Sequence, residues 1–266
     1  MLPGPDRAAQ PVPAPGGASA PLGRVGHVSE DVEQAPGPAE RAAALEEYHR
    51  AQVSVCTRCA LAEERTTVVV GNGDPDARLM FVGEAPGYHE DRQGLPFVGA
   101  AGQLLDRLLG EIGLSREDVF VANVLKCRPP GNRDPRPEEI ESCTPHLERQ
   151  VTLVRPRMIA SLGNFATRLL SGRPEGISRV HGHELPISVA GVDLLLFPLF
   201  HPAAVLRSPR LEETMRADFA RIQPLLEDGP AATAGPPAPT AADAPADPDP
   251  APAAVDEPES QQLGLF

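Results

Sequence analysis

Four cysteines are the only thiols in the chain. Cys56 and Cys59 form a C-x2-C pair, and Cys127 and Cys143 have fifteen residues between them. Thiolates are metal ligands, and in a reducing compartment they seldom persist as disulfides. Four of them with one close pair suit a zinc ion or an iron–sulfur cluster. Structural zinc sites more often use two short pairs. One short pair with two widely spread partners leans towards a cubane cluster, and spacing alone leaves both open.

A second group of residues could shape a pocket. The stretch VGEAPGYHEDRQGLPFVGAAGQLL, residues 82–105, carries Gly83, Gly87, Gly94, Gly99 and Gly102, which permit close backbone approach. Glu84, Glu90 and Asp91 set carboxylates among them, and Phe97 lies between two glycines, where an aromatic ring can stack on a flat ligand. The pattern is neither a Walker loop nor a dinucleotide fingerprint. Asn123 offers one acceptor and two donors in a fixed plane, which suits reading the edge of a nucleobase. His201 and Arg207 share the segment FHPAAVLRSP. Singly, each has a structural reading: a turn, a helix cap, a core aromatic, a packed histidine.

These residues need elements to bring them together. Apolar runs predict strands over 78–87, 118–127, 157–163 and 192–202. Between and around them, three- and four-residue apolar spacings predict helices over 39–55, 99–114, 136–154, 164–170 and 209–227. Alternation of buried strands with helices indicates a parallel sheet covered on both faces. Sites in such sheets form at the carboxyl ends of strands, so the loops after residues 83, 123 and 200 are where chemistry is expected.

Bulk properties bound the rest. Residues 1–40 and 229–266 are rich in Pro, Gly and Ala and are expected to be disordered, leaving 41–228 as one domain. The net charge of −13 is misleading: two Arg and five acids fall in 1–40 and six acids in 229–266, so the core keeps 22 basic and 26 acidic residues, a net of −4. A local basic patch for nucleic acid remains possible. No apolar run is long enough to span a membrane and no signal peptide is evident, so a cytoplasmic location is expected.

Taken together, GEAPG at 83–87, PFVGAAG at 96–102, NVLKCRPPGNR at 123–133 and HPAAVLR at 201–207, with the four cysteines, resemble family 4 uracil-DNA glycosylases, the iron–sulfur branch of the uracil glycosylase superfamily. The resemblance covers roughly residues 50–225. It implies an α/β fold, a three-layer α/β/α sandwich around a four-stranded parallel sheet. It implies a 4Fe–4S cluster held by Cys56, Cys59, Cys127 and Cys143, and monofunctional excision of uracil from DNA. By resemblance Phe97 stacks on the flipped base, Asn123 reads its polar edge, Glu90 walls the pocket beside the ring carbon that bears thymine's methyl, and His201 donates to the developing uracil anion. Gly83 and the backbone amides of Glu84 and Ala85 complete the pocket. Glu84 is the candidate for orienting water. Arg207 enters or braces the DNA, and Arg128, Asn132 and Arg133 contact phosphates. One related class forms a covalent adduct through a histidine after the Asn strand; residues 128–142 hold no histidine, so turnover is expected.

Two readings compete with this one: a non-catalytic iron–sulfur DNA-binding module, and the sister glycosylase family with broader substrates. The chain then ends QQLGLF. Gln262, Leu263, Leu265 and Phe266 resemble the short motif by which bacterial repair proteins bind the sliding clamp, with residues 229–260 as a linker reaching ~30 Å as a random coil. A monomer is expected.

Overall fold

The computed structural model describes residues 36–228. Of the expected tails at 1–40 and 229–266, residues 1–35 and 229–266, including the proposed linker and clamp peptide, lie outside the described residues. Pro38–Glu40 instead form the first turn of a helix that Glu40 caps by accepting from Gly37 N–H, so the expected boundary at 40 falls inside a helix. In chain order the elements are α1 (Pro38–Tyr48), α2 (Leu61–Glu64), β1 (Asn72–Gly73), β2 (Leu79–Gly83), α3 (Tyr88–Gln93), α4 (Ala100–Glu111), β3 (Phe120–Asn123), α5 (Pro137–Val154), β4 (Met158–Leu162), α6 (Asn164–Ser171), α7 (Ile177–Val180), β5 (Leu185–Val189), β6 (Val192–Leu199), α8 (Pro202–Val205), α9 (Pro209–Ala220) and α10 (Ile222–Asp228). A π turn over His49–Val53 continues α1 towards the first cysteine.

The sheet corrects one expectation. Four parallel strands do form its centre, but the sheet has six strands in the order β1-β3-β2-β4-β6-β5, and both edges are antiparallel. The reason at one edge is a hairpin. Leu185, Ile187 and Val189 alternate along β5, and Ala190 and Gly191 turn the chain back with φ of 47° and 80°. Two consecutive left-handed residues match the tight turn that fits strand twist. Pro186 and Ser188 interrupt the apolar run, as an edge strand allows.

Every residue of β2, β3 and β4 is buried. Alternate side chains feed two cores. Leu79, Phe81, Val121, Ala160 and Phe197 meet α4 and α9 through Leu104, Leu108, Met215 and Phe219. Met80, Val82, Phe120, Ile159 and Leu196 meet α1, α5 and α6 through Leu45, Leu147, Val151 and Ala166. These are the outer layers of the three-layer fold. Each fully buried side chain of this size contributes about 1.5–3 kcal/mol relative to exposure, which is why the central strands read as continuous apolar runs.

The helix expected over 209–227 is broken at Arg221. Pro224 cannot donate to the carbonyl four residues back, at Ala220, and its ring clashes there, so α9 ends and α10 begins. Among the described residues no helix is long and apolar enough to cross a membrane.

Candidate active site and cysteine cavity

The parallel register brings the sequence-predicted pocket residues to one end of the sheet. Gly83, the last residue of β2, pairs with Asn123, the last residue of β3. Leu162 of β4 pairs with Leu199 of β6, two residues before His201. Gly83 lies beneath the convergence. A Cβ there would stand 2.4 Å from Asn123 Oδ1 and 2.6 Å from Phe97 Cζ, so only glycine lets the carboxamide and the ring close over it. The Phe97 and His201 rings lie 5.9 Å apart between centroids. Asn123 is buried and its Oδ1 has no hydrogen-bond partner in the protein. A buried acceptor without a donor costs about 1–3 kcal/mol, and a ligand N–H would relieve it.

Phe97 is held in a strained conformation. Its φ is 53°, in the left-handed region that non-glycine residues avoid, at a cost of about 1–3 kcal/mol. The surroundings over-determine it. Its carbonyl oxygen would be 1.7 Å from a Cβ at residue 102, so the first turn of α4 needs Gly102. Arg116 Nη2 donates to the same carbonyl at 2.7 Å. Glu90 Oε1 accepts from the backbone N–H of Val98 at 2.9 Å and of Gly99 at 3.1 Å. Glu90, expected as a wall of the pocket, is thus a brace of the segment that carries Phe97. Asp91 is buried and accepts from the N–H of Thr66 and Thr67, a structural part.

His201 caps α8, and its Nδ1 accepts from Ala203 N–H at 3.1 Å. With Nδ1 accepting, the single proton of a neutral imidazole would sit on Nε2. Gly163 has φ 89° and lies close under this side chain, where a Cβ would be 3.0 Å from His201 Cβ. Glu84 and Ala85, directly after β2, are half-buried. Leu125 N–H donates to Glu84 O at 2.9 Å, tying the two loops together.

The expected DNA-contacting residues divide. Leu206 and Arg207 are exposed just beyond α8. Arg128 Nε donates to Asn132 Oδ1 at 2.7 Å, and its guanidinium lies 5.3 Å from the centre of the Tyr88 ring. Arg133 is engaged elsewhere: its two Nη atoms form a bidentate pair with the buried Glu139 at 2.9 and 2.6 Å, which holds the Glu139 carboxyl below its usual range. Glu139 also accepts from Arg136 N–H at the start of α5. Arg133 therefore anchors α5 rather than offering a free fork to phosphate.

The four cysteines line one cavity with Val53, Leu61 and Leu125. All four are free thiols. Burial pushes Cys143 up to about 11 and raises Cys127, so bare thiolates are disfavoured there without a cationic partner. Two sulfurs already receive donors: Arg65 Nη1 stands 3.3 Å from Cys127 Sγ, and Lys126 N–H 3.3 Å from Cys143 Sγ. Among the described residues no three His, Cys, Asp or Glu side chains converge on a centre the size of a single ion.

Between cavity and pocket runs a polar chain that the sequence reading missed. Lys126 is fully buried, and its Nζ donates to Asn123 O at 2.7 Å and to Gln150 Oε1 at 2.6 Å. Burial lowers its pKa to about 8, against the opposing pull of Cys143 and Cys127. Gln150 reaches on to Val70 O and to His49 Nε2. The one signal in sequence was a lysine inside an otherwise apolar strand end, NVLKC.

The fold and this pocket belong to a group of base-excising enzymes. The chain is a member of the uracil DNA glycosylase superfamily, whose model matches residues 70–226. Similar proteins include several type-4 uracil-DNA glycosylases. That of Saccharolobus solfataricus is 44% identical over 184 residues, spanning 67% of this chain and 85% of the relative. That of Archaeoglobus fulgidus is 46% identical over 175 residues, 64% of this chain and 88% of the relative. That of Thermotoga maritima is 46% identical over 158 residues, 59% of this chain and 81% of the relative.

Proposed function

We propose that the protein is a monofunctional uracil-DNA glycosylase, hydrolysing the N-glycosidic bond of a uracil flipped out of DNA and leaving an abasic site. The observation that carries the reading is Asn123 Oδ1, buried and unpartnered beside Gly83, where the edge of the Phe97 ring also comes close. Uracil presents an N3–H donor beside its O4 acceptor, which matches a carboxamide. Cytosine presents a lone pair at N3, and a site built for a hydrogen bond rejects the analogue that cannot make it. Flipping costs a few kcal/mol, which stacking on Phe97 and this pairing offset.

Bond cleavage leaves negative charge on the uracil ring and oxocarbenium character on the sugar. By the resemblance, His201 donates to the developing anion, and the amides of Glu84 and Ala85 supply further dipoles. Glu84 orients the attacking water. Arg207 with Leu206 fills or braces the space left by the base, and Arg128 and Asn132 contact the backbone.

The cysteine cavity supports a 4Fe–4S cluster held by Cys56, Cys59, Cys127 and Cys143. A lone tetrahedral ion needs sulfurs at about 2.3 Å from one centre, whereas four thiols spread around a cavity suit a wider group. When bound, the cluster would cross-link the segment before β1 to the loop after β3 and to α5. The enzyme would act in the cytoplasm as a monomer, and the terminal QLGLF would dock on the sliding clamp of replicating DNA.

The test of the enzymatic reading is abasic-site formation on oligonucleotides carrying U:G, U:A or single-stranded uracil. Cleavable sites are expected with all three. Binding without excision would instead mark a DNA-binding module, and excision of hypoxanthine at a rate equal to uracil would mark the broader sister family.

A further inference from the structure

His146 lies on α5, three residues after Cys143, and its ring lines the cysteine cavity. Its side chain is buried, with 1% exposure. One ring nitrogen is accounted for: Nδ1 lies 2.8 Å from the hydroxyl of Tyr48 at the end of α1. The other, Nε2, is buried and has no hydrogen-bond partner in the protein. Buried polar nitrogens are satisfied in the great majority of folded structures, so an orphan in the wall of a cavity points to a partner inside it.

The chemistry of the cavity selects the tautomer. Four thiolates and the sulfides between them are electron-rich acceptors. A bare Nε2 lone pair facing them is repelled, whereas an N–H is attracted. Tyr48 supplies what that arrangement needs, because a phenol O–H donating to Nδ1 places the imidazole proton on Nε2. Burial keeps the phenol protonated by raising its pKa.

We infer that His146, positioned by Tyr48, donates an Nε2–H hydrogen bond to a sulfur of the iron–sulfur cluster and thereby tunes its reduction potential. It joins the Arg65 guanidinium on Cys127 and the Lys126 amide on Cys143 as a third donor to the sulfurs. Donors to cluster sulfur stabilise the more reduced, more negative state, so they raise the potential. The inference rests on the cysteine cavity holding the cluster.

The experiment uses the full chain purified anaerobically, in the parent form and as His146→Phe, His146→Gln and Tyr48→Phe. Iron and acid-labile sulfide content come first. A parent chain that holds no iron–sulfur cluster defeats the cofactor reading and the inference with it. With the cluster present, potentials are measured by titration with dithionite, and Fe–S stretching bands are recorded by resonance Raman in H2O and D2O. His146→Phe is expected to lower the reduced-to-oxidised ratio at fixed poise by roughly tenfold, about 59 mV for one electron, and to diminish the D2O shift of the Fe–S bands. His146→Gln, which keeps an N–H donor, is expected to restore most of both. Tyr48→Phe should move the potential the same way by less. Should His146→Phe fail to assemble the cluster, the Gln and Tyr48 variants and the parent D2O shift decide the matter. A loaded cluster whose potential and D2O shift match the parent in every soluble variant overturns the hydrogen bond while leaving the cluster in place.

Discussion

At the residue scale, three small decisions make the pocket. Gly83 gives up a side chain so that Asn123 and Phe97 can meet, Asn123 keeps a buried oxygen without a partner in the protein, and His201 Nδ1 accepts from Ala203 N–H. Gly83→Ala should therefore fold yet misplace the carboxamide and ring. Displacements of about 1 Å can cost ~100-fold, so single-turnover excision should drop by that order while circular dichroism stays unchanged. If His201 is the donor proposed for the uracil anion, His201→Ala is expected to lose ~10²–10³ in rate with cluster absorbance retained. Asn123→Ala should reduce uracil excision sharply. Normal single-turnover rates for both His201→Ala and Asn123→Ala would sink the site assignment.

At the scale of elements, the site depends on supports outside it. Phe97 keeps its left-handed backbone because Gly102, Arg116 and Glu90 each hold one side of its loop. The end of β3 is held from behind by Lys126, which links Asn123 to Gln150 of α5. Replacing it by methionine fills similar volume but leaves two buried acceptors unpaired. Lys126→Met is expected to lose about 1–3 kcal/mol per unpaired group in urea unfolding and to slow excision through Asn123. Stability and rate equal to the parent would mean that neither acceptor depends on the ammonium. Arg133 shows the opposite case: its paired fork is committed to Glu139, so its loss should appear as weaker anchoring of α5 before it appears as weaker DNA binding.

For the whole molecule, charge and acid response follow from the burial of histidines. His49 is lowered to about 4, chiefly by burial and then by Lys126 and His146, and neutral His49 accepts from Gln150. The folded pKa lies below the ordinary value near 6.5, so this stabilisation is complete above pH 6.5 and is lost as pH falls from there towards 4. Thermal melts should fall across that window, and His49→Gln should flatten the dependence; an unchanged slope would contradict the assignment. The other molecule-scale prediction concerns the end of the chain. Deleting residues 261–266 should leave excision on short oligonucleotides intact and abolish binding to the sliding clamp, and unchanged clamp affinity by calorimetry would refute the docking role.

Much of this was legible in the residues alone. Strands β2, β3, β4 and β6 stand within the predicted apolar runs because central parallel strands are buried on both faces and announce it. The pocket residues Gly83, Phe97, Asn123 and His201 were found because strand ends and glycine loops mark the sheet's carboxyl edge. The edge strands were not legible: two residues of β1 carry no period, and β5 alternates with polar and proline positions that also suit a loop. Nor could spacing say that Glu90 braces a backbone, that Arg133 is already paired, that Lys126 joins the cysteine cavity to the pocket, or that Tyr48 meets His146. Sequence by itself determined the order of the central strands with the helices around them and the family, because these depend on local pattern. Only the tertiary structure decided which polar groups face each other and which are left unpaired, because a hydrogen bond between residues a hundred positions apart leaves no periodicity in the chain.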